Sequence, residues 1–264
     1  MTGLTRVLVV TAVPAERDAV TRSVARGGVP LPGVRPEVLR VCPARTRVVV
    51  DAVAAGAGPA AAAAGTATSL ALGPGRGEPY DLVVSAGIAG GFAPYAAVGA
   101  TVVASAVLAA DLGVRTTGGF SDMAELGFGV VAHGPPAALA ESAAAALGAV
   151  YGPVLTVSTV TGTADRATEL AARHEGAVAE AMEGFGVATA ASLHGVPVLE
   201  IRSVSNAVGP RDRAAWRVPE ALRALTDACA ALWPVLDTWK DREGPWPTQE
   251  TVRDATRGGS PGRP

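Results

Sequence analysis

The apolar positions of this chain fall into short, unbroken runs that show little of the polar alternation of a half-exposed strand. Residues 7–13 read Val-Leu-Val-Val-Thr-Ala-Val, and similar runs occur at 48–53, 82–86, 101–110, 154–160, 178–181 and 196–204. Runs of this length with β-branched residues predict strands covered on both faces. Between them lie Ala-rich stretches with helical character, at 60–72, 137–147, 164–173, 184–194 and 219–239. A further helix is predicted to start at Pro14, a residue tolerated in a first turn, with Glu16 and Asp18 at its positive end. Glycine and proline punctuate the rest: 27–36 and 73–79 read as breaks, 56–59 and 87–91 as turns, and 116–129 as a long loop.

Strands alternating with helices predict an α/β fold, a single domain with a mixed central β-sheet flanked by helices. The 264 residues, 49% of them hydrophobic, suffice for one large core and fall short of two comfortable domains. The domain is expected over 1–240. From Asp241 onward the composition is Pro, Gly, Arg and Thr, so 241–264 is expected to be a disordered tail. Aromatics make up only 4%, so small aliphatic side chains must build the core.

The formal charge of −2, with no basic stripe, argues against a nucleic-acid partner. No apolar run reaches the roughly 20 residues of a membrane span, because the longest are broken by residues such as Asp51, Gly56 and Pro59. The start lacks a signal-peptide pattern. Cys42 and Cys229 stand far apart in no metal-type spacing and read as free core or near-core thiols. A cytoplasmic protein without metal or cofactor is the expectation.

Candidate chemistry gathers at the predicted strand ends. Glycine turns follow two strands, at Gly56-Ala57-Gly58 and at 87–91, where backbone can approach a ligand closely. For the first of these, an ordinary tight turn is the preferred reading; the spacing is not a dinucleotide fingerprint. Glu183 lies between a buried strand and an Ala/Gly-rich helix, where a carboxylate is costly unless it binds something. Glu16 and Asn206 follow two other strands, with a helix-start acid and a turn Asn as their ordinary readings. Each residue is a weak signal alone, but one crevice at the strand ends can collect all three.

Taken in order, Thr11-Ala12-Val13-Pro14-Ala15-Glu16, Gly56-Ala57-Gly58, Ser85-Ala86-Gly87-Ile88-Ala89-Gly90-Gly91, Ala181-Met182-Glu183-Gly184 and Arg202-Ser203-Val204-Ser205-Asn206 resemble the methylthioadenosine/S-adenosylhomocysteine nucleosidases of the purine nucleoside phosphorylase superfamily. The resemblance covers about residues 6–240 and implies a nucleoside phosphorylase-like fold. Within the superfamily, 205–212 with Trp216, and Gly119-Phe120 through to Gly129, look most like futalosine hydrolases. That family cleaves futalosine to hypoxanthine and dehypoxanthine futalosine on a route to menaquinone.

The resemblance implies roles. Glu16 would activate water, Met182 and Glu183 would hold the ribose, Ala86 and Gly87 would line sugar and base, and Asn206 would address the purine edge. Adenine-cleaving members carry Asp where this chain has Asn206. A 6-oxopurine presents two neighbouring acceptors, O6 and N7, which an amide NH₂ can face and an ionised Asp cannot. Many phosphorylases of the superfamily bind phosphate with an arginine on the strand before the glycine turn. Here that neighbourhood reads Val83-Val84-Ser85 without a cation, which favours hydrolysis. The family's base-stacking aromatic is replaced by Asp165 after Gly162-Thr163-Ala164, so Phe120 or Trp216 is expected to cover the base. Arg211, Arg213 and Arg217 are candidates to meet a substrate carboxylate.

The family also implies a homo-oligomer, a dimer or larger, acting on a small-molecule nucleoside. Alternatives are an adenine-type nucleosidase (methylthioadenosine/S-adenosylhomocysteine or aminodeoxyfutalosine), a purine nucleoside phosphorylase, or a nucleoside-binding protein without catalysis.

Overall fold

A computed structural model describes residues 4–31, 36–75 and 77–239. In chain order the elements are β1 (Thr5–Thr11), α1 (Pro14–Arg22), β2 (Val29–Pro30), β3 (Val38–Val41), β4 (Val48–Ala54), α2 (Pro59–Gly75), β5 (Leu82–Gly91) and β6 (Thr101–Ala109). Then follow β7 (Gly113–Thr116), β8 (Gly119–Asp122), β9 (Ala132–His133), α3 (Ala137–Leu147), β10 (Val150–Thr156), α4 (Ala164–Arg173), β11 (Ala179–Ala181), α5 (Gly184–Leu193), β12 (Val198–Ala207) and α6 (Val218–Thr238). The expected α/β fold with a mixed sheet flanked by helices is present. The expected tail at 241–264 lies outside the described residues.

The unalternating strands are explained by two cores, one on each face of the sheet. Successive side chains of a strand point to opposite faces. Val7 and Val9 of β1 join Val50, Val84 and Ile201 in a core closed by α1, α3 and α6. Leu8 and Val10 join Val53, Val83 and Val198 in a second core closed by α2 and α5. The stripe Ala221, Leu225, Ala228, Leu232 and Leu236 gives α6 its buried face, at the spacing a helix requires. Cys229 lies in the first core, but Cys42 is exposed, so only one thiol is a core residue.

The strand order is β11-β10-β6-β12-β5-β1-β4-β3-β2, with β9 beside β6, and β11 also pairs with β5. The extra pairing closes β5, β12, β6, β10 and β11 into a ring. It arises because β5 is longer than the sequence pattern predicts. Residues 87–91 continue the strand instead of turning, and Gly90 and Gly91 pair antiparallel with Glu180 and Ala179. Glycine's lack of a side chain permits the crowding there: a methyl at Gly91 would lie 2.2 Å from the Ala96 carbonyl.

Other boundaries also shift. The expected loop 116–129 begins with a two-stranded ribbon, β7 and β8, and β3 and β9 are strands the apolar pattern is too short to reveal. β12 runs on to Ala207, which puts Asn206 in a strand rather than after one. The α2–α5 contact is closer than side chains allow. Position 186 has no room for a side chain, since a methyl there would sit 2.0 Å from the Pro59 carbonyl. The first turns of α2 and α5 are thus in backbone contact, which brings Gly58 beside Glu183.

Candidate active site

Glu16 is the third residue of α1, and its carboxylate folds back over the end of β1. Oε2 accepts hydrogen bonds from the backbone N–H groups of Ala12 at 3.0 Å and Val13 at 3.3 Å, and Oε1 accepts from Ile88 N–H at 2.9 Å. Helix start and β5 are therefore joined through one buried acid. Burial pushes its pKa above the ordinary carboxylate value, and the nearby negative charge of Glu183 acts in the same direction. The backbone donors and Arg202 oppose that rise without cancelling it.

Glu183 caps the gap between β11 and α5. Its Oε1 accepts from Gly58 N–H at 3.1 Å, and its Oε2 from Met182 N–H at 3.3 Å and Arg202 Nη1 at 3.2 Å. The Gly56-Ala57-Gly58 turn is thus more than a tight turn, since it hands a backbone donor to the candidate ribose-binding acid. Met182 is half-buried next to it.

Arg202 links these acids. The sequence around Ser85 carries no cation, yet the neighbouring strand supplies one: Arg202 of β12 is in register with Gly87, and its Nη2 donates to Ser85 Oγ at 3.0 Å. The expectation of a site without an arginine there is corrected. A methyl at Gly87 would lie 2.7 Å from both Arg202 Nη1 and Glu16 Oε1, so cation and acid converge on this glycine. Arg202 is 1% exposed. Burial works against its charge, but Glu200, Glu183 and Glu16 outweigh burial and hold it protonated.

Ala86 is turned away. Its methyl belongs to the core under α6, so only the backbone at 86 faces the crevice. Asn206 lies across from Gly90, as does Glu180 on the other side, so the three form one line over β12, β5 and β11. Asn206 Oδ1 accepts from Ser205 Oγ at 2.8 Å and its Nδ2 donates to the Ala207 carbonyl at 3.0 Å. This pairing leaves the second N–H of the amide as a donor. Buried Glu180 accepts from Thr161 N–H at 2.9 Å and from Thr161 Oγ1 at 2.5 Å, which fastens the loop before α4 to β11.

The segment after β12 folds back over this line. Arg217 N–H donates to the Ser205 carbonyl at 2.8 Å and Arg211 N–H to the Gly162 carbonyl at 3.3 Å. The half-buried Trp216 ring carries the Arg211 guanidinium 5.8 Å above it, and Arg211, Arg213 and Arg217 are exposed. Phe120 sits elsewhere. Its ring lies 4.1 Å beneath the guanidinium of Arg173, the last residue of α4. That helix rises about 15 Å over its ten residues from the 161–163 segment. Arg173 thus occupies one face of the ring expected to cover the base. No group of three His, Cys, Asp or Glu side chains among the described residues could hold a metal ion.

Sequence reasoning missed Arg202, Glu200 and Glu180. Charged residues inside an otherwise apolar strand are costly and call for partners. Glu200 and Arg202, two apart and hence on one face of β12, carried that signal.

A phosphorylase superfamily model matches residues 6–236. The chain belongs to the phosphorylase superfamily. It is 59% identical over 236 residues to a futalosine hydrolase from Streptomyces coelicolor, covering 89% of this chain and 98% of that one. It is 45% identical over 230 residues to a futalosine hydrolase from Acidothermus cellulolyticus, covering 85% and 89%. Among solved structures, the fold matches a methylthioadenosine/S-adenosylhomocysteine nucleosidase from Colwellia psychrerythraea in complex with adenine. The TM-score is 0.75 at 21% identity, over 88% of this chain and 96% of that one. A Streptococcus pneumoniae nucleosidase with a transition-state inhibitor gives 0.74 at 20% identity, over 88% and 100%. The resemblance read from the motifs is thereby borne out, and so is the nucleoside phosphorylase-like fold.

Proposed function

We propose that the chain is a futalosine hydrolase, an N-ribosyl hydrolase that releases hypoxanthine and leaves dehypoxanthine futalosine. The observation that carries this reading is the meeting of two buried carboxylates, Glu16 and Glu183, around Gly87 and Arg202, with an amide donor at Asn206 on the adjoining strand. The extent of identity to two futalosine hydrolases supports the choice of substrate.

Cleavage of an N-glycosidic bond passes through a cationic, oxocarbenium-like sugar. Glu183 holds the ribose hydroxyls, and its negative charge is worth most when that cation forms. Glu16, whose pKa lies above that of an ordinary carboxylate, takes the proton of the attacking water. The Asn206 amide N–H meets the growing charge on the departing 6-oxopurine. Trp216 covers the base, and Arg211 on the same loop meets the carboxylate of the substrate's tail.

Arg202 does not turn the site into a phosphate site. Its guanidinium is already paired with Glu200 and Glu183, and Glu16 beside it repels a phosphate dianion. No metal or cofactor enters this mechanism. Among the described residues no helix is long and apolar enough to cross a membrane, and a cytoplasmic homo-oligomer serving menaquinone synthesis completes the proposal.

The test is chromatographic detection of free base from futalosine in phosphate-free buffer, beside methylthioadenosine and inosine. Hypoxanthine release from futalosine is expected. Strict phosphate dependence, or faster cleavage of methylthioadenosine, would overturn the reading.

A further inference from the structure

Four charged side chains meet behind the site, three of them acids. Glu16 comes from α1, Glu183 from the β11–α5 junction, and Glu200 and Arg202 from β12. No other charged residue faces them from β5, β6, α2 or α5, whose described side chains there are apolar, hydroxyl or glycine. One cation thus serves three carboxylates, and which acid neutralises it decides where the excess negative charge resides.

The geometry answers this. Arg202 Nε donates to Glu200 Oε1 at 2.8 Å, whereas its Nη1 reaches Glu183 Oε2 at 3.2 Å. Glu200 is 0% exposed, and its Oε2 has no hydrogen-bond partner among the described residues. A buried cation at this distance is what favours the ionised form of so deeply buried a carboxyl. It also packs against the first residue of α5. A methyl at Gly184 would lie 2.3 and 2.4 Å from the two Glu200 oxygens, so position 184 must be glycine for Glu200 to fit. The positive end of α5 favours an anion at that spot.

We propose that Glu200 is a positioning residue for hydrolysis that touches no substrate: it neutralises Arg202 from behind, so that the negative charge of Glu183 remains available to the cationic sugar. The inference rests on the hydrolase reading given above. Burial raises the pKa of Glu200 and the Glu183 charge adds to this, while Arg202 opposes both. In the absence of the Glu200 charge, Arg202 turns its full field on Glu183 and Glu16. The sugar cation then loses stabilisation, and Glu16 becomes easier to ionise.

E200Q in the full chain tests this with two ligands and one pH profile. The ligands are an uncleavable neutral nucleoside analogue and its counterpart with a protonated nitrogen in the sugar ring. E200Q is expected to weaken the cationic analogue by on the order of tenfold while leaving the neutral one within about twofold. It should lower kcat more than it raises KM, and move the acid limb of kcat/KM to lower pH. Equal loss for both analogues with an unmoved acid limb would mean that Glu200 only packs, and would overturn the proposal. E200D supplies the check on folding, since it keeps the charge on a shorter stem. A preference for the cationic analogue close to that of the parent is expected, and a folded E200D that loses that preference tenfold would also overturn it. Wild-type turnover of futalosine is measured first: if no base is released, the hydrolase reading itself has failed, independently of Glu200.

Discussion

Arg202 Nη1 donates to Glu183 Oε2 across 3.2 Å, and the same nitrogen lies opposite Glu16 Oε1 over the bare Cα of Gly87. The acid proposed to grip the sugar and the acid proposed to activate water are therefore coupled through one cation. E16Q and E183Q should each keep the fold and lower kcat by about 10²- to 10⁴-fold, the range for a lost general base or a lost preorganised charge. The acid limb of the parent's kcat/KM should lie above the ordinary carboxylate value, because Glu16 is raised by burial. Stopped assays of hypoxanthine release across pH read both effects, and a limb at an unperturbed carboxylate pKa would exclude Glu16 as the base.

Gly87 is the tightest point of this arrangement. G87A would put a methyl 2.7 Å from two side chains that cannot withdraw, since Arg202 is paired on three sides and Glu16 is tied to three backbone donors. A displacement of this size costs about 100-fold in rate, and overpacking costs about 1–3 kcal/mol in stability. Turnover and urea denaturation, measured side by side, should show the larger effect on turnover.

The base edge is tested at Asn206. Ser205 Oγ engages Oδ1 and the Ala207 carbonyl takes one amide N–H, which leaves the other N–H as the donor proposed to meet the base. N206D replaces that donor with an acceptor and should shift preference from 6-oxo- to 6-aminopurine nucleosides. Competition between the two nucleoside classes measures it, and an unchanged ratio would remove Asn206 from base recognition.

A separate prediction concerns stability. His133 of β9 is buried under Phe185, and its Nε2 lies 3.1 Å from Thr189 Oγ1. Thr189 donates its own proton to the Phe185 carbonyl, so His133 Nε2 must be the donor to Thr189. Burial lowers its pKa from 6.5 to about 4. A group whose folded pKa is depressed contributes stability above its unfolded pKa and loses it as pH falls toward the folded one. Stability should therefore fall between pH 6.5 and about 4, and H133Q should flatten that decline. Urea midpoints at pH 7 and 5 are the measurement. His174, lowered to about 4 by burial and by Arg173, leaves a residual slope in the variant.

Much of the fold was legible because both faces of the central strands are covered, which leaves unmistakable apolar runs. What stayed hidden was set by tertiary contact. The stretch 87–91 has the composition of a turn, and only its pairing with β11 makes it a strand. Glu16, Glu183 and Asn206 were readable as polar residues at predicted strand ends. Arg202 was not, because its meaning depends on the register that sets it beside Gly87 rather than on its own sequence neighbours. Phe120 shows the same limit: the sequence offers an aromatic in a glycine-rich loop, and only the structure shows Arg173 over its ring.

The ring of β5, β12, β6, β10 and β11 gives the site a mechanical character. Glu183 leaves β11, Asn206 sits on β12, and Gly87 lies on β5 between them. A closed set of strands has no free edge along which one member can slide, so the spacing between the proposed sugar grip and the proposed base edge is set by the fold itself. The segment after β12 is tied to the same frame by backbone hydrogen bonds from Val208 to Gly91, Arg211 to Gly162 and Arg217 to Ser205. The candidate site is thus held like a die whose faces are set by strand pairing rather than by its own side chains.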